Sequence, residues 1–191
     1  MEAAMAASAD NPPPITPELR ERARQRPGSW VYSVDPVYQD VDDVPDWAVI
    51  GAYRVDENGE IAEEFIPNPH YRPSPAALGF AAPANVLEEA MQKAVTGHGG
   101  AREVRAALRD ATVFTPFTPS RDGLIVLDDG LGHGVVHAFT SELYLPDVVV
   151  WRHWERLQVR EIAPLLGDCY LVLDPGSAME LRVAGTGLDR L

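Results

Sequence analysis

Few side chains in this 191-residue chain have the type and spacing to carry chemistry. The histidines are His70, His98, His133, His137 and His153. His133 and His137 stand four apart, the spacing that places two imidazoles on one face of a helix for zinc. They lie in Gly132-His-Gly-Val-Val-His137, however, which reads as turn and strand. Four residues along a strand separate two side chains by roughly 13 Å, so a shared metal is not expected. Cys169 is the single cysteine and sits in an apolar run, where a thiol behaves as a small buried hydrophobe. Thr140-Ser141 lacks the flanking glycines of a nucleophile elbow, and Ser177 in Asp-Pro-Gly-Ser reads as a turn residue. The glycine-rich runs at 97–100 and 130–134 lack the lysine and following helix of a phosphate cradle. No catalytic residue, metal site or cofactor is expected, and the chain is read as a non-enzyme.

Charge is the other chemical resource. Sixteen basic against 29 acidic residues give a net charge of -13. Residues 35–65 concentrate it, with ten acids against Arg54 alone. Such a field repels nucleic acid and anionic lipid and attracts a basic protein surface. Asp40, Asp42, Asp43 and Asp46, beside Trp47, combine charge for steering with an aromatic for anchoring, and they form the expected partner-binding surface. A solvated face that merely aids solubility is the alternative.

These side chains must be positioned by elements that the pattern suggests. Residues 1–14 read as a flexible tail, without the basic cluster and apolar core of a signal peptide. Thr16-Pro17-Glu18 starts a helix with a capping hydroxyl, a proline in its first turn and an acid near the helix N-terminus. Pro27-Gly28 ends it. Trp30–Val34 alternates as a half-buried strand, and Trp47–Val55 reads as a second strand. The stretch from Asp35 to Asp46 reads as a loop too acidic to be core. Asp56-Glu-Asn-Gly59 is a hairpin turn whose Asn-Gly would supply positive φ angles. Residues 60–66 form the returning strand, and the prolines from 67 to 83 allow only an extended connector. Together, 15–83 form an N-terminal strand-hairpin region.

Residues 84–191 read as an α+β domain. Val86, Leu87, Ala90, Met91, Ala94 and Val95 form one helix face opposite Glu88, Glu89, Gln92 and Lys93. Val104, Ala107, Leu108 and Ala111 form the stripe of a second helix. Strands are expected at 113–117, 124–127 and 135–139, with a turn at 120–123. A Trp-rich link follows. A helix at 159–166 and strands at 170–173 and 179–183 complete a mixed, largely antiparallel sheet with helices on one face. No apolar run nears the roughly 20 residues needed to span a bilayer. With a lone cysteine and no leader, a cytoplasmic location is expected.

The order of Val135-Val-His-Ala-Phe-Thr-Ser141, Val159-Arg-Glu-Ile-Ala-Pro-Leu-Leu166 and Tyr170-Leu-Val-Leu-Asp-Pro-Gly-Ser177 resembles the SseB-like domain. It departs from that pattern at Asp174, where the turn usually carries Asn; Asp can make the same turn. Ile15-Thr-Pro-Glu-Leu-Arg20, Gly28-Ser-Trp-Val-Tyr32, Val55-Asp-Glu-Asn-Gly-Glu60 and Asn68-Pro-His-Tyr-Arg-Pro-Ser-Pro75 resemble actinobacterial proteins described as type VII secretion system-associated. That resemblance implies a setting and not a reaction. The function it implies is a non-enzymatic accessory that binds a secreted substrate or a machinery component. The alternative is an immunity protein that neutralises a co-encoded secreted toxin.

Overall fold

A computed structural model of the chain describes residues 12–41, 43–118, 123–146 and 154–188. Residues 120–122 of the expected turn at 120–123, His153, Asp42 and the first eleven residues of the expected tail lie outside them. The protein is α+β and divides into two compact units, 1–82 and 83–191. Among the described residues no helix is long and apolar enough to cross a membrane.

The first unit opens with α1 (Pro17–Arg24), whose start obeys its sequence: Thr16 Oγ1 accepts the Leu19 N–H at 3.2 Å and Pro17 occupies the first turn. Leu19 and Ala23 turn inward. Strands β1 (Trp30–Val34), β2 (Val49–Val55) and β3 (Ile61–Pro67) form a three-stranded antiparallel sheet in that order. Leu19, Ala23, Val31, Tyr53 and Val55 make its core, with Ile15, Ile61 and Phe65 packed against them. At the hairpin only Gly59 takes a positive φ (81°); Asn58 does not. The turn is instead held by Asp56, whose Oδ1 accepts the N–H groups of Asn58 at 2.9 Å and Glu60 at 2.8 Å.

The close approach of β3 to β2 rests on Gly51. A Cβ built there would collide with the Phe65 ring and the Ile66 carbonyl. Because one of those obstacles is backbone, the strand itself would have to shift. Gly51→Ala is therefore expected to cost about 1–3 kcal/mol, the usual cost of overpacking, measured by chemical denaturation monitored on the first unit.

The second unit begins with α2 (Val86–Val95) and α3 (Ala101–Arg109), which pack together. The expected division of α2 into apolar and polar faces is corrected. Leu87, Ala90 and Met91 are buried as read, but Glu88 and Gln92 are buried with them, while Val86 is 72% exposed and Val95 51%. The packed face is rotated toward the polar side because Glu88 finds hydrogen-bond donors there, described below.

Strand β4 (Thr112–Pro116) pairs antiparallel with β7 (Trp154–Gln158), a strand that the Trp-rich link conceals in the sequence. A four-stranded sheet runs β5 (Leu127–Asp128), β6 (Gly134–Ala138), β8 (Tyr170–Leu173), β9 (Leu181–Ala184). The expected strand at 124–127 shrinks to Leu127–Asp128, with Leu124 making one isolated bridge to Phe117. Phe114 and Phe139 exchange backbone hydrogen bonds of 2.8 Å, which link β4 to the end of β6. Among these pairings only β6–β8 is parallel. A parallel pair needs a crossover, and α4 (Val159–Leu166) lies on it, burying Val159, Ile162, Ala163 and Leu166. A short α5 (Gly185–Leu188) follows β9.

Candidate protein-binding surface

The acidic loop of the first unit is built on a buried carboxylate. Asp35 belongs to the stretch expected to be a loop outside the core, yet it is fully buried. Its Oδ1 accepts the Val37 N–H at 3.1 Å and the Ser74 hydroxyl at 2.6 Å. Its Oδ2 accepts the Ser74 N–H at 2.9 Å and the Tyr71 hydroxyl at 3.0 Å. Four donors offset the cost of removing this charge from water. Burial, followed by the Asp35 charge, pushes the Tyr71 phenol well above its usual range, so it remains a hydrogen-bond donor.

The far end of the loop is fixed through backbone. The Asn68 side-chain amide donates to the carbonyls of Asp46 at 2.7 Å and Val49 at 2.8 Å. Arg72 N–H donates to the Trp47 carbonyl at 2.9 Å, and Asp35 N–H to the Ala48 carbonyl at 2.8 Å. The proline-punctuated connector thus supplies the clamp, through Asn68, Tyr71, Arg72 and Ser74.

Between those anchors, Asp40, Asp43 and Asp46 are exposed. Asp42 lies outside the described residues. Val37 and Val41 are exposed too, at 54% and 45%, so the acidic stretch also presents apolar side chains. Trp47 is half-buried, with its ring edge-to-face against Tyr38 at 5.4 Å. Its ring contributes to holding the loop as well as to the surface. The exposed valines escaped the sequence reading, although Val37 and Val41 alternate with the acids in plain view.

The other candidates fall in the second unit and do not converge. His133 sits on a turn, with Nδ1 3.1 Å from Asp129 Oδ2 and its ring edge-on to Tyr170. Asp129 also accepts from Arg182 at 2.6 Å; that hydrogen bond, followed by those from His133 and the turn backbone, holds its carboxyl well below the usual range. His137 is half-buried within β6, and burial lowers it despite the charge of Glu180. Among the described residues no three of His, Cys, Asp and Glu are placed to hold a metal ion. Ser177 Oγ accepts the Met179 N–H at 3.2 Å, within its turn. Cys169, expected to be buried, is half-buried; it precedes β8 beside Gly134, whose lack of a side chain leaves room for the thiol.

An open groove of about 1180 Å³ runs between α2, α3, β4 and the segment after Phe139. Val86, Ala90, Phe114 and Leu143 give it an apolar lining, and the Arg156 guanidinium lies 5.2 Å from the Phe114 ring centre. Ser141 Oγ, in its wall, is buried without a hydrogen-bond partner.

Comparison with protein-family models, curated proteins and solved structures gives no match for this chain.

Proposed function

We propose that this chain is a non-enzymatic accessory protein whose acidic loop, Asp40 to Trp47, binds a protein partner with a basic contact surface. The observation that carries the reading is a charged, partly apolar loop held at both ends by buried or backbone anchors. A loop so fixed loses little conformational freedom on binding, which favours affinity. Exposed carboxylates raise the encounter rate with a basic surface, and Val37 and Val41 supply area that loses water on contact. The resemblance described above supports a type VII secretion setting, with a secreted substrate or a machinery component as the partner.

The test combines capture from the native host with kinetics. A partner purified on the immobilised chain should associate more slowly as salt rises, and amide hydrogen exchange should slow in residues 36–48 on binding. A captured protein whose association is indifferent to salt, or whose protection lies elsewhere, overturns the acidic-loop reading.

A further inference from the structure

Three buried side chains meet beneath the first turn of α2. Thr140 Oγ1 lies 2.9 Å from Glu88 Oε1 and 2.7 Å from Asp174 Oδ2. Glu88 is 0% exposed, Asp174 1% and Thr140 3%. A threonine hydroxyl holds one proton: it can donate to one carboxyl oxygen, and it meets the second favourably only by accepting a hydrogen from it. With both carboxyls ionised, one short contact would set a hydroxyl lone pair against an anion. Among the described residues neither carboxyl has an ion-pair partner to relieve that. The hydrogen bonding closes with one additional proton.

The surrounding donors say where that proton sits. Glu88 Oε2 accepts the Ala84 N–H at 2.7 Å, and Oε1 faces the Asn85 side-chain amide at 3.4 Å. Glu88 also stands in the first turn of α2, where the helix dipole favours an anion. Among the described residues the Asp174 carboxyl meets donors of Thr140 alone: the backbone N–H reaches Oδ1 at 2.8 Å, and the shared hydroxyl lies against Oδ2. The anion belongs on Glu88 and the proton on Asp174. We propose that Asp174 Oδ2–H, Thr140 Oγ1–H and the Glu88 carboxylate form a proton-dependent latch. It ties the N-terminus of α2 to the turn between β8 and β9, and loss of its proton releases that first helical turn.

Burial raises the Asp174 carboxyl above the ordinary range; the Thr140 backbone N–H opposes that rise, and the Glu88 charge adds to it. Tyr144, on the turn after Thr140, is a titratable group that feels both carboxyls; burial first, and then the two of them, raise its phenol, so it stays neutral throughout. Asn85 completes the link, capping α2 by accepting the Glu88 N–H at 3.0 Å and donating to the Thr140 carbonyl at 2.9 Å. Since Asn85, Val86 and Thr140 also line the groove, the latch fixes one of its walls.

The sign of the pH effect follows from linkage. A carboxyl raised in the folded state binds a proton that the unfolded chain, near pH 4, has already lost. Its stabilisation is complete below about pH 4 and declines as pH rises to the folded value of Asp174.

Asp174→Asn removes the titration and keeps the geometry. An amide donates where Oδ2–H did, still accepts the Thr140 N–H, and tolerates the φ of 46° at this position. Infrared spectra at about pH 5.5, where exposed carboxyls are ionised, should show a neutral carboxyl C=O band in the wild type that Asp174→Asn lacks. From about pH 5 to 8 the wild-type Tm should fall by roughly 5 °C relative to Asp174→Asn. Hydrogen exchange of α2's first turn should accelerate over the same range, after correction for its intrinsic pH dependence. A wild type without the neutral carboxyl band at pH 5.5, or a Tm difference constant with pH, overturns the latch. If Asp174→Asn does not fold, carboxyl ¹³C shifts of the labelled wild type decide: an Asp174 already ionised at about pH 5.5 refutes the proposal.

Discussion

Asp35→Ala is expected to unfold the first unit at temperatures where the wild type is intact. The substitution leaves the Val37 N–H, the Ser74 N–H, the Ser74 hydroxyl and the Tyr71 hydroxyl without their acceptor. Stranding a buried donor costs about 1–3 kcal/mol. Ser74 is itself buried and Tyr71 half-buried, so water can reach only some of the four. A loss of at least about 3 kcal/mol follows, a large part of the margin of an ordinary domain. Asp35→Asn should lose less, because its amide oxygen still accepts, although its NH2 would face donors. Denaturant titration of the three proteins gives the order wild type, Asn, Ala. An alanine variant within 1 kcal/mol of wild type would show that the buried carboxylate is dispensable.

Changing Asp40, Asp42, Asp43 and Asp46 together to Asn should slow association with a basic partner roughly tenfold at low salt, within the range that charge steering supplies. The salt slope should flatten in parallel, because exposed charges act through a field screened within about 10 Å at 0.1 M. Stability should hardly change. Among the described residues no hydrogen bond reaches the carboxylates of Asp40, Asp43 and Asp46, and the loop is held instead by backbone carbonyls and by Asp35. Stopped-flow association against ionic strength for wild type and variant is the measurement. Equal rates and equal slopes would reduce the loop to a solvated face.

The sequence made some of this legible. Thr16-Pro17-Glu18 and the apolar spacing of Val159, Ile162, Ala163 and Leu166 are local signals, and both helices form at those positions. The acidic loop was visible as charge. Its anchors were not, because Tyr71 and Ser74 stand 36 and 39 residues beyond Asp35. No local pattern marks a carboxylate as buried when its donors arrive from so far along the chain. Glu88 was half legible: Asn85-x-x-Glu88 is a capping pattern, which places its backbone but not the Thr140 hydroxyl 52 residues away. Strand β7 was hidden for a similar reason. Trp154-Glu-Arg-Leu-Gln158 is only partly apolar, and its pairing with β4 makes it a strand.

The clamp around the acidic loop separates what the chain needs for folding from what it is free to vary. At the far end the contacts are to main-chain carbonyls, which any residue provides; at the near end Asp35 does the holding. Asn68, Tyr71 and Ser74 must therefore keep their identities together with Asp35, while the exposed positions 39, 40, 41, 43 and 46 can exchange side chains at little cost to the sheet beneath. A library randomised there and nowhere else should remain mostly folded.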